Sequence, residues 1–218
     1  HRTGLSARVL SQVSRLLAFL PGLGAGRGAR GPPERRRLKS TGFVTGLAWE
    51  AATLRAADPA ACARVVCRGP GRIAADRSAR DALASGCRIL VSWGSAGALG
   101  DMAAGELLIA GRIVPCDGPA LDCDRALLAR WTAALPTARV GAIAEAARPL
   151  VSRSEKRALR TLTGADAVDM ESAAVARAAE AAGASWLCVR AIVDPADADV
   201  PPAALAGMDG PRTRPGRV

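Results

Sequence analysis

The stretch Trp186-Leu-Cys-Val-Arg-Ala-Ile-Val193 contains a single polar side chain, that of Arg190. A run of this kind is typical of a strand that is buried on both faces of a sheet and covered by helices. Asp194-Pro-Ala-Asp197 follows directly and brings carboxylates to the end of that strand. Ligands of open α/β sheets collect in the crevice outside the strand ends. The run therefore predicts an α/β fold. It also predicts that the functional residues lie at the edge of the sheet where this strand ends.

Short apolar runs alternate with alanine-rich helical stretches over most of the chain. We predict strands at 88–93 and 106–114, a turn at 94–97, and helices at 124–134 and 169–182. Ser152 and Glu155 have the spacing of a capping box and predict another helix start. The pattern predicts one three-layer α/β domain, with a mixed, largely parallel central sheet covered by helices.

The positive charge of the chain is concentrated at its start. Residues 1–40 hold nine of the 30 basic residues and one of the 20 acidic residues. We predict a basic, Gly/Pro-rich disordered extension over 1–41, the α/β domain over 42–209 and a disordered tail over 210–218. A nearly neutral domain with few aromatic residues does not predict a nucleic-acid partner. The amphipathic start is instead compatible with an organelle address or peripheral membrane contact.

The only histidine is His1, and none of the six cysteines forms a Cys-x-x-Cys pair. This composition excludes Ser-His-Asp and Cys-His catalysis and predicts no metal site. We expect no cofactor, and acid–base chemistry must use carboxylates.

Three segments carry candidate functional residues. Gly94-Ser-Ala-Gly97 is either a structural turn or a place where a ligand approaches the backbone closely. Asp169 and Glu171 either both cap a helix, or Asp169 caps while an ionised Glu171 enters a pocket and accepts from a vicinal diol. Asp194 has three possible roles. It is a turn residue, a ligand of a cation, or a general acid that stays protonated because its pocket excludes water.

Together and in this order, these three segments resemble the nucleoside phosphorylase and nucleosidase superfamily. The motifs are Val91-Ser-Trp-Gly-Ser-Ala-Gly-Ala98, Val168-Asp-Met-Glu-Ser-Ala-Ala-Val175 and Val189-Arg-Ala-Ile-Val-Asp-Pro-Ala-Asp197. The resemblance is greatest to the hopanoid-associated branch, whose members are thought to remove adenine from adenosylhopane. It implies an enzyme that cleaves the N-glycosidic bond of a purine nucleoside or adenosyl conjugate by phosphorolysis or hydrolysis.

The resemblance implies a role for each matching position. Asp194 corresponds to the aspartate that protonates the purine at N7, and Glu50 to the glutamate that activates water. Glu171 corresponds to the carboxylate that binds the ribose hydroxyls, and Met170 to the apolar residue under the sugar. The further substrate-binding positions that it implies are Ser95, Ala96 and Gly97 beside the anomeric carbon and Leu150 and Val151 beside the base.

Phosphate is a co-substrate if the reaction is phosphorolysis. Arg68 and Arg72 flank a Gly-Pro-Gly turn and are either surface residues or a phosphate site. The partners expected from the resemblance are a small nucleoside, further copies of the chain in a homo-oligomer and, for a lipid-linked substrate, a membrane surface. We expect a cytoplasmic protein. The alternatives are a catalytically lapsed nucleoside- or adenine-binding protein of the same fold and a membrane-surface accessory protein.

Overall fold

The computed structural model describes residues 41–57 and 64–200. The predicted tail and almost all of the predicted extension lie outside the described residues. Among those that are described, no helix is both long enough and apolar enough to cross a membrane.

Eight strands and five helices follow one another along the described chain. The strands are β1 (Thr41–Val44), β2 (Val65–Val66), β3 (Ile89–Ala98), β4 (Leu107–Val114), β5 (Leu121–Asp122), β6 (Arg139–Glu145), β7 (Ala167–Asp169) and β8 (Ser185–Asp194). The helices are α1 (Ala48–Ala57), α2 (Arg72–Ala84), α3 (Arg125–Ala134), α4 (Arg153–Thr163) and α5 (Ser172–Ala181).

The strands form one mixed sheet in the order β2-β1-β3-β7-β6-β4-β5, and β8 pairs with both β3 and β4. Five of the eight strand pairings are parallel. The predicted mixed, largely parallel α/β domain is confirmed. Because β8 joins β3 to β4, the strands β3, β7, β6, β4 and β8 close into a ring, which the sequence analysis did not predict.

The core lies between this sheet and its covering helices. Phe43, Leu90, Leu108 and Leu187 are among its fully buried side chains. Helix α5 packs against β3 and β8, and seven of its ten residues are buried, most of them alanines. Small side chains let the helix approach the sheet closely, so an alanine-rich sequence with few large apolar residues still forms a dense core.

A β-bulge at the end of β8 sets the direction of Asp194. Ala96 of β3 pairs with Ile192, but the next residue, Gly97, pairs with Asp194. Val193 is the extra residue, and its side chain is 41% exposed. A bulge changes which face of the sheet the following side chain reaches. Asp194 consequently lies beside Gly97: a Cβ atom on that glycine would be only 3.0 Å from Asp194 Oδ2.

Two local predictions were wrong. Gly94–Gly97 is not a turn, because β3 continues to Ala98 through pairing with β8. Asp169 does not begin a helix but ends strand β7, and α5 begins at Ser172. In both cases pairing with a neighbouring strand overrides the local sequence preference.

The predicted capping box is present at the start of α4. The Ser152 hydroxyl accepts a hydrogen bond from the Glu155 amide, and the Glu155 carboxylate accepts one from the Ser152 amide. Glu155 also accepts from the Val151 amide and from Arg148. These hydrogen bonds, chiefly the one from Arg148, lower the pKa of Glu155 to about 2. The cap therefore joins α4 to the segment before it.

Replacing Ser152 with alanine removes the hydroxyl that accepts from the helix amide. We expect S152A to lower the free energy of unfolding by about 1 kcal/mol, the usual contribution of an N-cap. Urea unfolding of S152A and of the control R157A, at an exposed position of the same helix, measures this difference. An equal loss in the two variants would contradict the assigned cap.

Candidate active site

Glu50 and Asp194 lie against the second half of β3, and Glu171 lies beside Gly46, whose amide also donates to Glu50. Gly97 of this strand pairs with Val168 of β7 on one side and with Asp194 of β8 on the other. The segment Ser95–Gly97 therefore lies between the end of β8 and the β7 end from which Glu171 follows. Glu50 reaches the same strand from α1. The structure thus brings together the acidic residues that the sequence analysis selected.

Glu50 is buried, with 4% of its surface exposed, and all its acceptor positions are in use. Oε2 accepts from the amides of Gly46 and Leu47 at 3.2 and 2.9 Å. Oε1 accepts from the amide and the hydroxyl of Ser95, both at 2.8 Å. A carboxylate offers about four lone-pair sites. The predicted activation of water by Glu50 stays a prediction, and it requires that the Ser95 hydroxyl give way or relay the proton.

Glu171 lies at the start of α5 and is half-buried. Its Oε1 accepts from the Gly71 amide at 2.6 Å, and Gly46 is close enough that a Cβ atom there would lie 3.5 Å from Oε1. Removal from water raises the pKa of Glu171 to about 7, and the negative charge of Asp169 contributes. We expected an ionised Glu171. Near neutral pH it is only partly ionised in the free protein.

Asp169 is not the N-cap of α5, which is Glu171, but its carboxylate binds the first residue of that helix. Its Oδ1 accepts from the amide and the hydroxyl of Ser172 at 3.3 and 2.8 Å. Its Oδ2 accepts from Arg190 Nε at 2.8 Å. Arg190 is 2% exposed and also donates to the carbonyl and hydroxyl of Ser92. This buried network connects β3, β7 and β8 immediately beneath Met170 and Glu171.

Asp194 forms an ion pair that the sequence analysis missed. Lys156 Nζ lies 2.5 Å from Asp194 Oδ2, and the exposed fractions of the two side chains are 1% and 25%. The same ammonium donates to the carbonyls of Pro195 and Ala198 at 2.8 and 3.0 Å. Asp194, the predicted general acid, is therefore paired with a buried cation.

The other predicted substrate-binding residues surround these carboxylates. Ala96 is buried, and Ser95, Gly97 and Met170 are partly accessible. Leu150 packs on a small apolar cluster with Val168, but the backbone of Val151 is engaged within the protein. Its amide donates to Glu155 Oε2 and its carbonyl accepts from the Val200 amide. Contact of Leu150 and Val151 with a base stays a prediction.

The two arginines of the predicted phosphate site both have carboxylate partners. Arg68 pairs with Asp81 of α2. Arg72 donates to both carboxylate oxygens of Asp117 and lies 3.7 Å from a carboxylate oxygen of Glu145. Phosphate binding by these arginines stays a prediction, and it requires that an anion compete with those partners.

Cys116, Asp117 and Glu145 are the nearest approach to a metal-ligand set in the described part of the chain, with ligand atoms within 4.8 Å of one another. Hydrogen bonds from Arg72 and Arg177 lower the pKa of Asp117 to about 2, so two guanidinium groups already neutralise it. Burial, together with the hydrogen bond to Glu145, raises the pKa of the Cys116 thiol and disfavours the thiolate. These surroundings do not suit a cation.

Sequence reasoning missed Arg190, Lys156 and the Gly71 amide. Arg190 had a visible signal, as the one charge in an otherwise apolar strand. Such a charge must be paired when it is buried. Lys156 had a weaker signal: it is one of only two lysines among 30 basic residues, but nothing beside it in the charged sequence of α4 indicates that it is buried.

The raised pKa of Glu171 makes a prediction about stability. Its folded pKa of about 7 exceeds that of a free glutamate, so the ionised side chain destabilises the fold and this cost grows as the pH rises from about 4.5 to 7. Glutamine keeps an oxygen for the Gly71 amide but carries no charge. We expect E171Q to raise Tm by about 2–4 °C at pH 8, the shift that about 1 kcal/mol gives in a domain of this size, and by less at pH 5.

Thermal unfolding of E171Q at the two pH values tests this, with D101N as a control at an exposed loop carboxylate. A gain as large at pH 5 as at pH 8 would contradict the raised pKa.

Comparison with solved structures identifies the fold. The S-adenosylhomocysteine nucleosidase of Streptococcus pyogenes is 20% identical, with a TM-score of 0.62 over 72% of this chain and 84% of that one. The 5′-methylthioadenosine/S-adenosylhomocysteine nucleosidase of S. pneumoniae is 21% identical, with a TM-score of 0.64 over 72% and 86%. Futalosine hydrolase of Helicobacter pylori is 20% identical, with a TM-score of 0.62 over 73% and 87%.

A search of curated proteins found no match. The profile described as the phosphorylase superfamily, however, matches residues 38–207, which include every carboxylate of the site. The chain therefore belongs to the phosphorylase superfamily, and the prediction of a nucleoside phosphorylase or nucleosidase is confirmed.

Proposed function

We propose that this protein cleaves the N-glycosidic bond of an adenosyl conjugate and releases adenine. The observation that carries the proposal is that three carboxylates lie around one short stretch of backbone. Glu50 binds Ser95 of β3 and the Gly46 amide, Asp194 lies beside Gly97 of β3, and Glu171 lies beside Gly46. The structures of similar fold are nucleosidases for 5′-methylthioadenosine and S-adenosylhomocysteine and a futalosine hydrolase. 5′-Methylthioadenosine and S-adenosylhomocysteine are adenosyl conjugates, and they support this substrate class.

The three carboxylates divide the reaction among them. The bond from the sugar to the base stretches toward an oxocarbenium-like transition state, in which the sugar gains positive charge and the base negative charge. Asp194 delivers a proton to the departing purine and Glu171 accepts hydrogen bonds from the ribose hydroxyls. Glu50, in contact with Ser95, receives the proton of an attacking water. No step requires a histidine, a metal or an organic cofactor.

Water suits the site better than phosphate does. Within the described residues, the two buried cations, Arg190 and Lys156, are each bonded to an aspartate. Arg68 and Arg72 also have carboxylate partners. A phosphate dianion would therefore approach several carboxylates without a free cation to balance it, which is unfavourable. We propose hydrolysis.

An apolar group on the 5′ side of the sugar is compatible with the surface near the site. Trp49, adjacent to Glu50, is 38% exposed, and Ile73, two residues after Gly71, is 71% exposed. Large apolar side chains left accessible in this way favour an apolar ligand or partner surface. We propose that the conjugate carries a hydrophobic 5′ substituent, and adenosylhopane fits this description. A homo-oligomeric, cytoplasmic enzyme with peripheral membrane contact would be consistent with such a substrate.

Incubation of the full chain with 5′-methylthioadenosine and with adenosylhopane tests the proposed reaction. We expect chromatography to detect free adenine, at the same rate with and without inorganic phosphate. Release that depends on phosphate would overturn hydrolysis. Binding of the nucleoside in calorimetry with no release would overturn the proposed activity in favour of a lapsed binding protein.

Asp194 is the residue on which release of the base depends. Asparagine cannot deliver a carboxylic proton, so we expect D194N to lower kcat by about 10²- to 10⁴-fold, the range of general acid catalysis. D197N is the matched control, because Asp197 lies on the same loop and is exposed. Adenine release by both variants, with circular dichroism to verify folding, gives the comparison. Equal rates would remove Asp194 from the mechanism.

A further inference from the structure

Lys156 is the one fully buried residue of helix α4. A lysine on this helix could reach water with any of several rotamers, yet its side chain is only 1% exposed. Burying an ammonium group costs several kcal/mol unless it is paired and hydrogen-bonded. Its position therefore requires compensating partners, and these show what it acts on.

All three partners of the ammonium belong to Asp194 and the loop that follows it. An ammonium has three hydrogens to donate. Its nitrogen lies 2.5 Å from Asp194 Oδ2, 2.8 Å from the carbonyl oxygen of Pro195 and 3.0 Å from that of Ala198. The lysine holds Oδ2 and so leaves Oδ1 as the oxygen available to a substrate. It fixes the direction of the carboxyl group and the course of the loop.

The pair also offers a path for a proton. Lys156 Nζ lies within hydrogen-bond distance of Asp194 Oδ2, and the other oxygen of the same carboxyl group is left for the substrate. A proton can therefore pass from Lys156 to the carboxyl group and from there to a base bound beside it.

We propose that Lys156 is a positioning residue that lends its proton to Asp194, so that the pair, rather than a carboxyl group protonated in advance, supplies the proton to the departing base. This inference rests on the proposed function. It differs from the sequence prediction, in which Asp194 alone carries the proton.

The step balances as follows. The bond between C1′ and N9 breaks, and its electron pair leaves with the purine. Lys156 Nζ gives one proton to the Asp194 carboxylate, and the carboxyl group so formed gives that proton to N7, leaving a carboxylate and a neutral amine. The oxygen of water forms the new bond to C1′ and its proton passes to Glu50. A proton returns to Lys156 through solvent after the base leaves, so the sum is addition of one water.

Other charged groups on the elements around the pair have partners of their own. On α4 and the segments packed against it, these ion pairs are Glu155 with Arg148, Arg160 with Asp166, and Arg153 with Asp199. Asp197, on the loop itself, is exposed to solvent. None of these groups is bonded to the Lys156–Asp194 pair, so the proton exchange is confined to the two residues and the substrate.

Two substitutions at Lys156 separate proton lending from a purely structural role. Arginine keeps the positive charge and the hydrogen bonds but cannot be deprotonated in a protein. Glutamine removes the charge and leaves Asp194 to take its proton from solvent. R157Q is the control, at an exposed position of the same helix. Each variant is assayed for adenine release between pH 5.5 and 9, with thermal unfolding to verify its fold.

We expect K156R to lower kcat by about 10²-fold at every pH, with KM within about threefold of the wild-type value. K156Q should lose about as much at pH 8 but recover at pH 5.5, because a lone carboxyl group gains its proton as the pH falls. R157Q should match the wild type. A fully active K156R, or a loss in K156Q that does not change with pH, would overturn the inference.

A measurement on the unaltered protein keeps the inference testable if the Lys156 variants do not fold. The rate of adenine release by the wild type is followed between pH 5.5 and 8. A proton supplied by Lys156 keeps the rate from falling over this range, whereas a rate that falls as the pH rises, as for a lone carboxyl group, overturns the lending step alone. A wild-type chain that releases no base overturns the proposed function together with this inference.

Discussion

The site depends on a steric constraint along β3. Two carboxylates, Glu50 and Asp194, approach glycine backbone that has no side chain to obstruct them. A Cβ atom at Gly94 would lie 2.9 Å from Glu50 Oε1, and one at Gly97 would lie 3.0 Å from Asp194 Oδ2. Distances this short leave no room for an ordinary side chain in either position. The two glycines of the segment are therefore required by the acidic residues around them, and the extended strand between them leaves Ser95 as the side chain that faces Glu50.

Charge balance then distinguishes the carboxylates from one another. Asp169 is bonded to Arg190 and Asp194 to Lys156, so each has a buried cation beside it. Glu50 is surrounded by four neutral donors. Glu171 receives hydrogen bonds from the backbone and forms no ion pair with a cation in the described residues, and burial beside Asp169 raises its pKa to about 7. Carboxylates in different surroundings can hold different protonation states at one pH, which lets one site supply both an acid and a charge acceptor.

Sequence predicted the fold class and the acidic residues because both have local signals. The apolar run that forms β8 and the carboxylate after it are adjacent in the chain, and Ser152 and Glu155 form their cap within four residues. What sequence could not predict depends on pairing between distant segments. The bulge at Val193 exists only in the register of β8 against β3, and that register turns Asp194 toward Gly97. Likewise, β6 takes its place in the ring by pairing with β4 and β7. Its sequence, Arg139–Glu145, has neither a long apolar run nor a strict alternation of apolar and polar residues.

The Gly-Pro-Gly turn after β2 illustrates how one local pattern can have two uses. Successive amides beside arginines are typical of an anion site. Here the Gly71 amide donates to a carboxylate of the protein itself, Glu171, and Arg72 at the start of α2 pairs with Asp117. Because Glu171 already accepts from the Gly71 amide, a phosphate bound at the turn would have to displace it. In the proposed reaction the turn therefore orients Glu171 toward the sugar. An amide that could have bound phosphate positions a residue for the nucleoside instead, which supports water as the proposed nucleophile.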